Sequence, residues 1–147
     1  MIREISLNEI RSKIDNGETV VFLEVGTIQA YEKMHIAGAL HFPPDRVREL
    51  ARAYLPNLGH QIIIYSGERT PGDLKDGVEN VALKAAEELS KMGYGNLYHY
   101  RGEPNADAAS SAKDEWIKAT MPVESIHYPP PSSNYFQYAS LKHARKS

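Results

Sequence analysis

Residues Ile62 to Gly77 read IIIYSGERTPGDLKDG. Three isoleucines and a tyrosine in succession, with no polar alternation, predict a strand covered on both faces. Such a strand belongs in a sheet flanked by helices. The run then meets Ser66 and passes into glycine, proline and charge. About thirteen residues separate Ser66 from Asn80, a length that is uncommon inside a compact domain and often functional. In α/β folds, ligands bind beyond the carboxyl ends of the strands. The Ser66 end is therefore where a reactive or binding group is expected.

Working outward, short apolar runs alternate with helical patterns. A brief extended piece opens the chain. Ser6 then precedes Glu9 by three residues, a capping box. Ile10 and Ile14 lie one helical turn apart, and Gly17 stops that helix. Thr19 to Val25 (TVVFLEV) is a second run typical of a buried strand. A short helix is expected around Ile28 to Met34, and a short strand in GALHFPP, ended by Pro43 and Pro44. Asp45 to Tyr54 reads as a helix with Val47, Leu50, Ala51 and Tyr54 on one face. Asn80 is placed to cap a helix through Met92 whose Val81, Ala85, Ala86, Leu89 and Met92 form one stripe, ended by Gly93. NLYHY predicts a last strand, and Ala112 to Thr120 a helix carrying Trp116. Helices between buried strands imply parallel crossovers. No internal repeat is evident. Glu103 to Glu115 is small and polar, a surface loop or helix entry. His127 to Ser147 is a tail, stiffened by Pro129, Pro130 and Pro131. Tyr128, Tyr135, Phe136 and Tyr138 make it too aromatic for a purely solvated linker, so it is expected to pack on its own domain or on a neighbouring copy.

Composition narrows the chemistry. The chain has 147 residues, 41% hydrophobic and 24% charged, with a formal net charge of −2. This suits one domain (residues 1–126) with a Pro/Tyr-rich tail (127–147), and gives no support to a nucleic-acid partner. The absence of cysteine excludes disulfides, thiolate metal sites and thiol nucleophiles. The charged start of the chain does not resemble a signal peptide, and no run is long enough to span a bilayer. A cytoplasmic protein without membrane association is expected.

The ordered set of motifs resembles the rhodanese-like (sulfurtransferase) domain family. His35 to Pro43 (HIAGALHFP) carries the most specific match, to the family's His-Ile-Pro-Gly-Ala stretch. EISLNEI resembles the opening strand and helix. VVFLEV resembles the second strand, usually written with Asp where Glu24 stands. IIIYS resembles the strand that delivers the active cysteine. ALKAAEELSKMGYGNLYHYRG and WIKATMPVE resemble the closing parts. The resemblance covers roughly residues 3 to 124 and implies an α/β three-layer sandwich: a five-stranded, mostly parallel sheet with helices on both faces. It also implies a cysteine at the end of the fourth strand. That cysteine carries sulfur as a persulfide above a loop whose N–H groups cradle an anion.

At the cysteine's position stands Ser66. Oxygen cannot carry a persulfide, and an alkoxide is far harder to form than a thiolate, so sulfur transfer of the family type is excluded for this chain. The loop is longer than the family's. Its Glu68, Asp73, Asp76 and Glu79 outnumber Arg69 and Lys75, which disfavours thiosulfate or phosphate. Gly26 stands where many members carry an arginine. Ser66 as a nucleophile would need a base; His99 is the histidine expected nearest, and Glu24 could orient it. The simpler reading is a serine bonded to loop backbone. Arg69 could hold an anion or pair with acids of its own loop. His35 reads as structural, bonding backbone near the sheet edge. The histidine spacings and GDLKDG fit no metal motif, and no cofactor is implied.

The expected function is therefore a catalytically inactive rhodanese-like domain. It would act as a binding or regulatory module through the loop 66–79, with Ser66, Gly67, Glu68, Arg69 and Thr70 meeting an unknown protein or a small anion. A homodimer through the tail is a further expectation. Two alternatives share the same residues: a sulfurtransferase or phosphatase whose cysteine has been exchanged for Ser66, and an enzyme outside the family chemistry that uses Ser66.

Overall fold

The computed structural model describes residues 1–67, 81–102 and 112–126. Its centre is β5 (Gln61–Ser66), the isoleucine strand. β5 pairs with β2 (Val20–Val25) over six residues, from Val20 opposite Gln61 to Val25 opposite Ser66. On its other side lies β6 (Asn96–His99), with β1 (Ile2–Glu4) beyond it. β4 (Leu40–Phe42) pairs with β2 and closes the other edge. The strand order is β1-β6-β5-β2-β4, and every pairing in this sheet is parallel. The five-stranded α/β sandwich expected from the sequence is present.

Alternation along β5 divides the core. Ile62 and Ile64 point to one face, with Leu23, Val25 and Leu97. There they meet α3 (Val47–Tyr54) through Val47 and Ala51, and α4 (Val81–Lys91) through Ala82, Ala85, Ala86 and Leu89. Ile63 and Tyr65 point to the other face, with Phe22. That side is covered by Ile10 of α1 (Leu7–Asp15) and Trp116 of α5 (Ala112–Lys118). The Trp116 ring meets Phe22 edge-on at 5.4 Å, a favoured aromatic geometry. α2 (Ile28–Lys33) links β2 to β3 (His35–Ile36), and Thr27 caps it by accepting from the Ala30 amide.

Several local expectations change. The capping box of α1 forms in full, with bonds of 2.9 and 3.1 Å between Ser6 and Glu9, but Ile14 faces solvent at 43% exposure. The segment Asp45 to Tyr54 starts with a 3-10 turn at Pro44–Arg46, and α3 begins at Val47. Tyr54, expected with Val47 and Ala51 on the apolar face, is 63% exposed at the last position of α3. NLYHY is not the last strand. β7 (Val123–Glu124) pairs antiparallel with β3 in a small second sheet. No described helix is long and apolar enough to cross a membrane. The readings placed on residues 68–80, on 103–111 and on the tail 127–147 lie outside the described residues.

Candidate functional site

The site is the carboxyl edge of β5 and β2. Ser66 ends β5 half-buried. The alternation that puts Ile62 and Ile64 on the α4 face puts Ser66 there too. The Gly67 amide donates to the Val25 carbonyl at 2.9 Å and extends the ladder by one bond. Gly67 itself turns toward the other face, against Glu24. A Cβ at Gly67 would fall 2.2 Å from Glu24 Oε2 and 2.8 Å from its Cδ, so only glycine fits there. Gly26, after β2, adopts φ +155°, a backbone that glycine accepts far more readily than arginine.

Glu24 is fully buried in an otherwise apolar strand. Its charge is balanced by Lys113 of α5, whose Nζ donates to Oε2 at 3.0 Å. The same ammonium donates to the carbonyls of Met34 at 2.6 Å and Ala30 at 3.1 Å. Glu24 Oε1 accepts from the Tyr65 hydroxyl at 2.7 Å, and that hydroxyl accepts from the Ile36 amide at 3.0 Å. Burial first, and the nearby Glu24 carboxylate second, push the Tyr65 hydroxyl pKa far above its ordinary value. Every proton of the ammonium and both carboxylate oxygens are used, which a buried ion pair requires. This network ties β2, β5, α2, β3 and α5 together.

Register separates Glu24 from His99: the two lie on opposite faces of the sheet. His99 does share the face of Ser66, on the neighbouring strand, opposite Ile64. However, its acid is Glu4, whose Oε2 lies 2.8 Å from Nδ1. Glu24, proposed from sequence to orient His99, stands on the opposite face and serves Lys113 and Tyr65. His99 Nε2 is buried and has no hydrogen-bond partner among the described residues, so no bond joins it to Ser66. His35 is structural: it is buried, its Nδ1 lies 2.7 Å from the Tyr31 carbonyl, and its ring stacks on Tyr31 at 3.7 Å. Gly67 takes the place just described, while Glu68, Arg69 and Thr70 lie outside the described residues.

Two features were not foreseen. Lys113 reads in sequence as an ordinary surface lysine; the one signal was a lone glutamate in a buried strand, which demands a cation. The second is a hollow of about 400 Å³ beside the Ser66 edge, lined by Gly26, Thr27, Ile28, His41, Pro43 and Val81. Its wall is held by His41, whose Nε2 lies 2.7 Å from the Gly26 carbonyl. The lining is mainly apolar and contains no lysine or arginine among the described residues.

The rhodanese-like domain family model matches residues 6–106. The chain belongs to the rhodanese-like domain family. Among relatives, the "Putative sulfur carrier protein YrkF" of Bacillus subtilis (strain 168) is 39% identical over 69 residues. That match spans 47% of this chain and 37% of the relative's length. Solved structures share the fold at low identity. The Alr3790 protein of Anabaena sp. superposes with a TM-score of 0.58 at 20% identity, covering 84% of this chain and 94% of that one. An E. coli rhodanese determined with anions gives 0.50 at 23% identity, covering 73% and 99%. The thiosulfate sulfurtransferase of Pseudomonas aeruginosa gives 0.58 at 17% identity, covering 99% of this chain and 25% of that one.

Proposed function

We propose that this rhodanese-like domain is catalytically silent and works as a binding or regulatory module. Its recognition surface is the edge formed by Ser66, Gly67 and the following Glu68, Arg69 and Thr70. One observation carries the reading: the central parallel strand ends on Ser66, in a chain that has no cysteine. Persulfide transfer needs a sulfur nucleophile, and a serine hydroxyl replaces it only with a base in reach. Among the described residues, His99 Nε2 is buried and makes no hydrogen bond to Ser66.

Among the described residues, the hollow beside this edge has apolar walls suited to an apolar side chain, which favours a protein partner. A sulfur-carrying role of the kind in the Bacillus subtilis relative's name would need a thiol from outside these 147 residues.

The test is thiosulfate-to-cyanide sulfur transfer by the chain and by Ser66→Cys, with tryptophan fluorescence confirming that both are folded. Both are expected to be inactive. Ser66-dependent turnover by the chain overturns the reading outright. An active Ser66→Cys would show an intact anion cradle and favour a sulfurtransferase silenced at one residue.

A further inference from the structure

Hydrogen-bond roles fix where the first proton of His35 sits. The ring is buried, and its Nδ1 lies 2.7 Å from the Tyr31 carbonyl. A carbonyl only accepts, so Nδ1 carries a proton. In the neutral ring Nε2 is then a bare lone pair. Yet Nε2 lies 3.4 Å from Oε1 of Glu124. A lone pair against a carboxylate repels, whereas a second proton on the ring makes the contact an ion pair. Glu124 is 56% exposed, so it can turn to solvent when that attraction is lost.

The contact joins two strands. His35 of β3 stands opposite Glu124 of β7 in the ladder. Each strand has two residues, too few to hold as an isolated pair. Glu124 Oε1 also accepts from the Gly38 amide at 2.8 Å. On either side, the Ala37 amide donates to the Pro122 carbonyl at 3.1 Å and the Ile126 amide to the Glu32 carbonyl at 2.8 Å. The other charged and titratable groups around His35 are balanced or neutral. Lys113 of α5 reaches the Met34 carbonyl but is paired with Glu24 of β2. Glu32 and Lys33 of α2 carry opposite charges. The hydroxyls of Tyr31, stacked on the His35 ring, and of Tyr65, bonded to the Ile36 amide, stay protonated, because burial raises both above the ordinary value. His41 of β4 lies next to Tyr31, with ring centroids 5.1 Å apart.

We propose that His35 is a proton-operated clasp for β7: the doubly protonated ring holds Glu124 and keeps β7 on β3, and loss of that proton loosens β7. Proton binding and strand docking are then reciprocal, each favouring the other. The clasp stands independently of the reading of Ser66.

Amide hydrogen exchange in the full chain reads the clasp. Protection at Gly38 and Ile126, corrected for the intrinsic pH dependence of exchange, is expected to fall about fivefold or more between about pH 5 and about pH 8. Amides of β5 should show no matching change. The fall should coincide with titration of the His35 ring, followed by the NMR shifts of its carbon-bound protons. Glu124→Gln keeps an acceptor for the Gly38 amide and removes the charge, so in that variant the pH dependence should vanish. His35→Asn keeps a donor for the Tyr31 carbonyl and removes the titration; the same result is expected, and it decides the matter should Glu124→Gln fail to fold. Flat protection in the parent chain would overturn the proposal. Undiminished pH dependence in either variant would assign it to another histidine and overturn it too.

Discussion

Gly67 lies against the carboxylate of Glu24, so closely that a Cβ would come within 2.2 Å of Oε2. Backbone after the central strand and the buried ion pair thus occupy adjoining space. Gly67→Ala must push Glu24 away from Lys113 or bend the chain after Ser66. A loss of ~2–4 kcal/mol is expected, of the size seen for overpacking combined with a broken buried network. Urea denaturation would show it as a lower midpoint with an unchanged slope; a midpoint equal to that of the parent would refute the contact.

Lys113 and Glu24 should be strongly coupled. Lys113→Met leaves a buried carboxylate without its cation and is expected to cost ~3–5 kcal/mol. Glu24→Gln strands the ammonium among carbonyls and should also destabilise. The double variant removes both charges, so its loss should be smaller than the sum by at least ~1 kcal/mol. Additive losses in denaturant titrations would show that the pair acts as two independent groups.

Glu88 provides a surface counterpart. Its hydrogen bond from Arg48 Nε at 2.6 Å, more than the burial that opposes it, holds its pKa below the usual carboxylate value of 4.5. A depressed folded pKa gives stability that is present above pH 4.5 and lost as pH falls through the folded value. Arg48→Ala should move the Glu88 titration upward in carboxyl-detected NMR and leave the fold intact. An unmoved titration would exclude the Arg48 bond as the cause.

What the sequence disclosed follows the range of the interactions. The β5 run was legible because burial on both faces demands consecutive apolar residues, and the capping box because Ser6 and Glu9 are three residues apart. The position of Ser66 followed from the strand that carries it. Tyr54 is exposed although it shares the side of Val47 and Ala51, because helical periodicity says which side a residue takes, not how deeply the end of the helix is covered. The Glu24–Lys113 pair spans 89 residues, and nothing local to Lys113 distinguishes it from a solvated lysine. Glu24 meets Lys113 and Tyr65 rather than His99, because alternation places it on the opposite face of the sheet. The two-residue β7 carries too little pattern to be read without its partner β3.

Alkali should expose the buried tyrosines. Burial is the main cause raising the hydroxyl pKa of Tyr65 and Tyr100 well above 10.0; the carboxylates of Glu24 and Glu115, which accept their hydrogen bonds, push the same way. Raised folded values mean that the folded state keeps these protons after the unfolded chain has released them. Their contribution to stability is full below pH 10 and is lost as pH rises above it. Absorbance at the tyrosinate band should therefore show some of the nine tyrosines titrating reversibly near the ordinary value. Tyr65 and Tyr100 should respond only as the protein unfolds. Tyr65→Phe and Tyr100→Phe should each reduce the amplitude of that late phase. Complete titration of all nine in the folded protein would contradict the burial of both hydroxyls, and with it the bonds that fix Glu24 beneath the Ser66 edge.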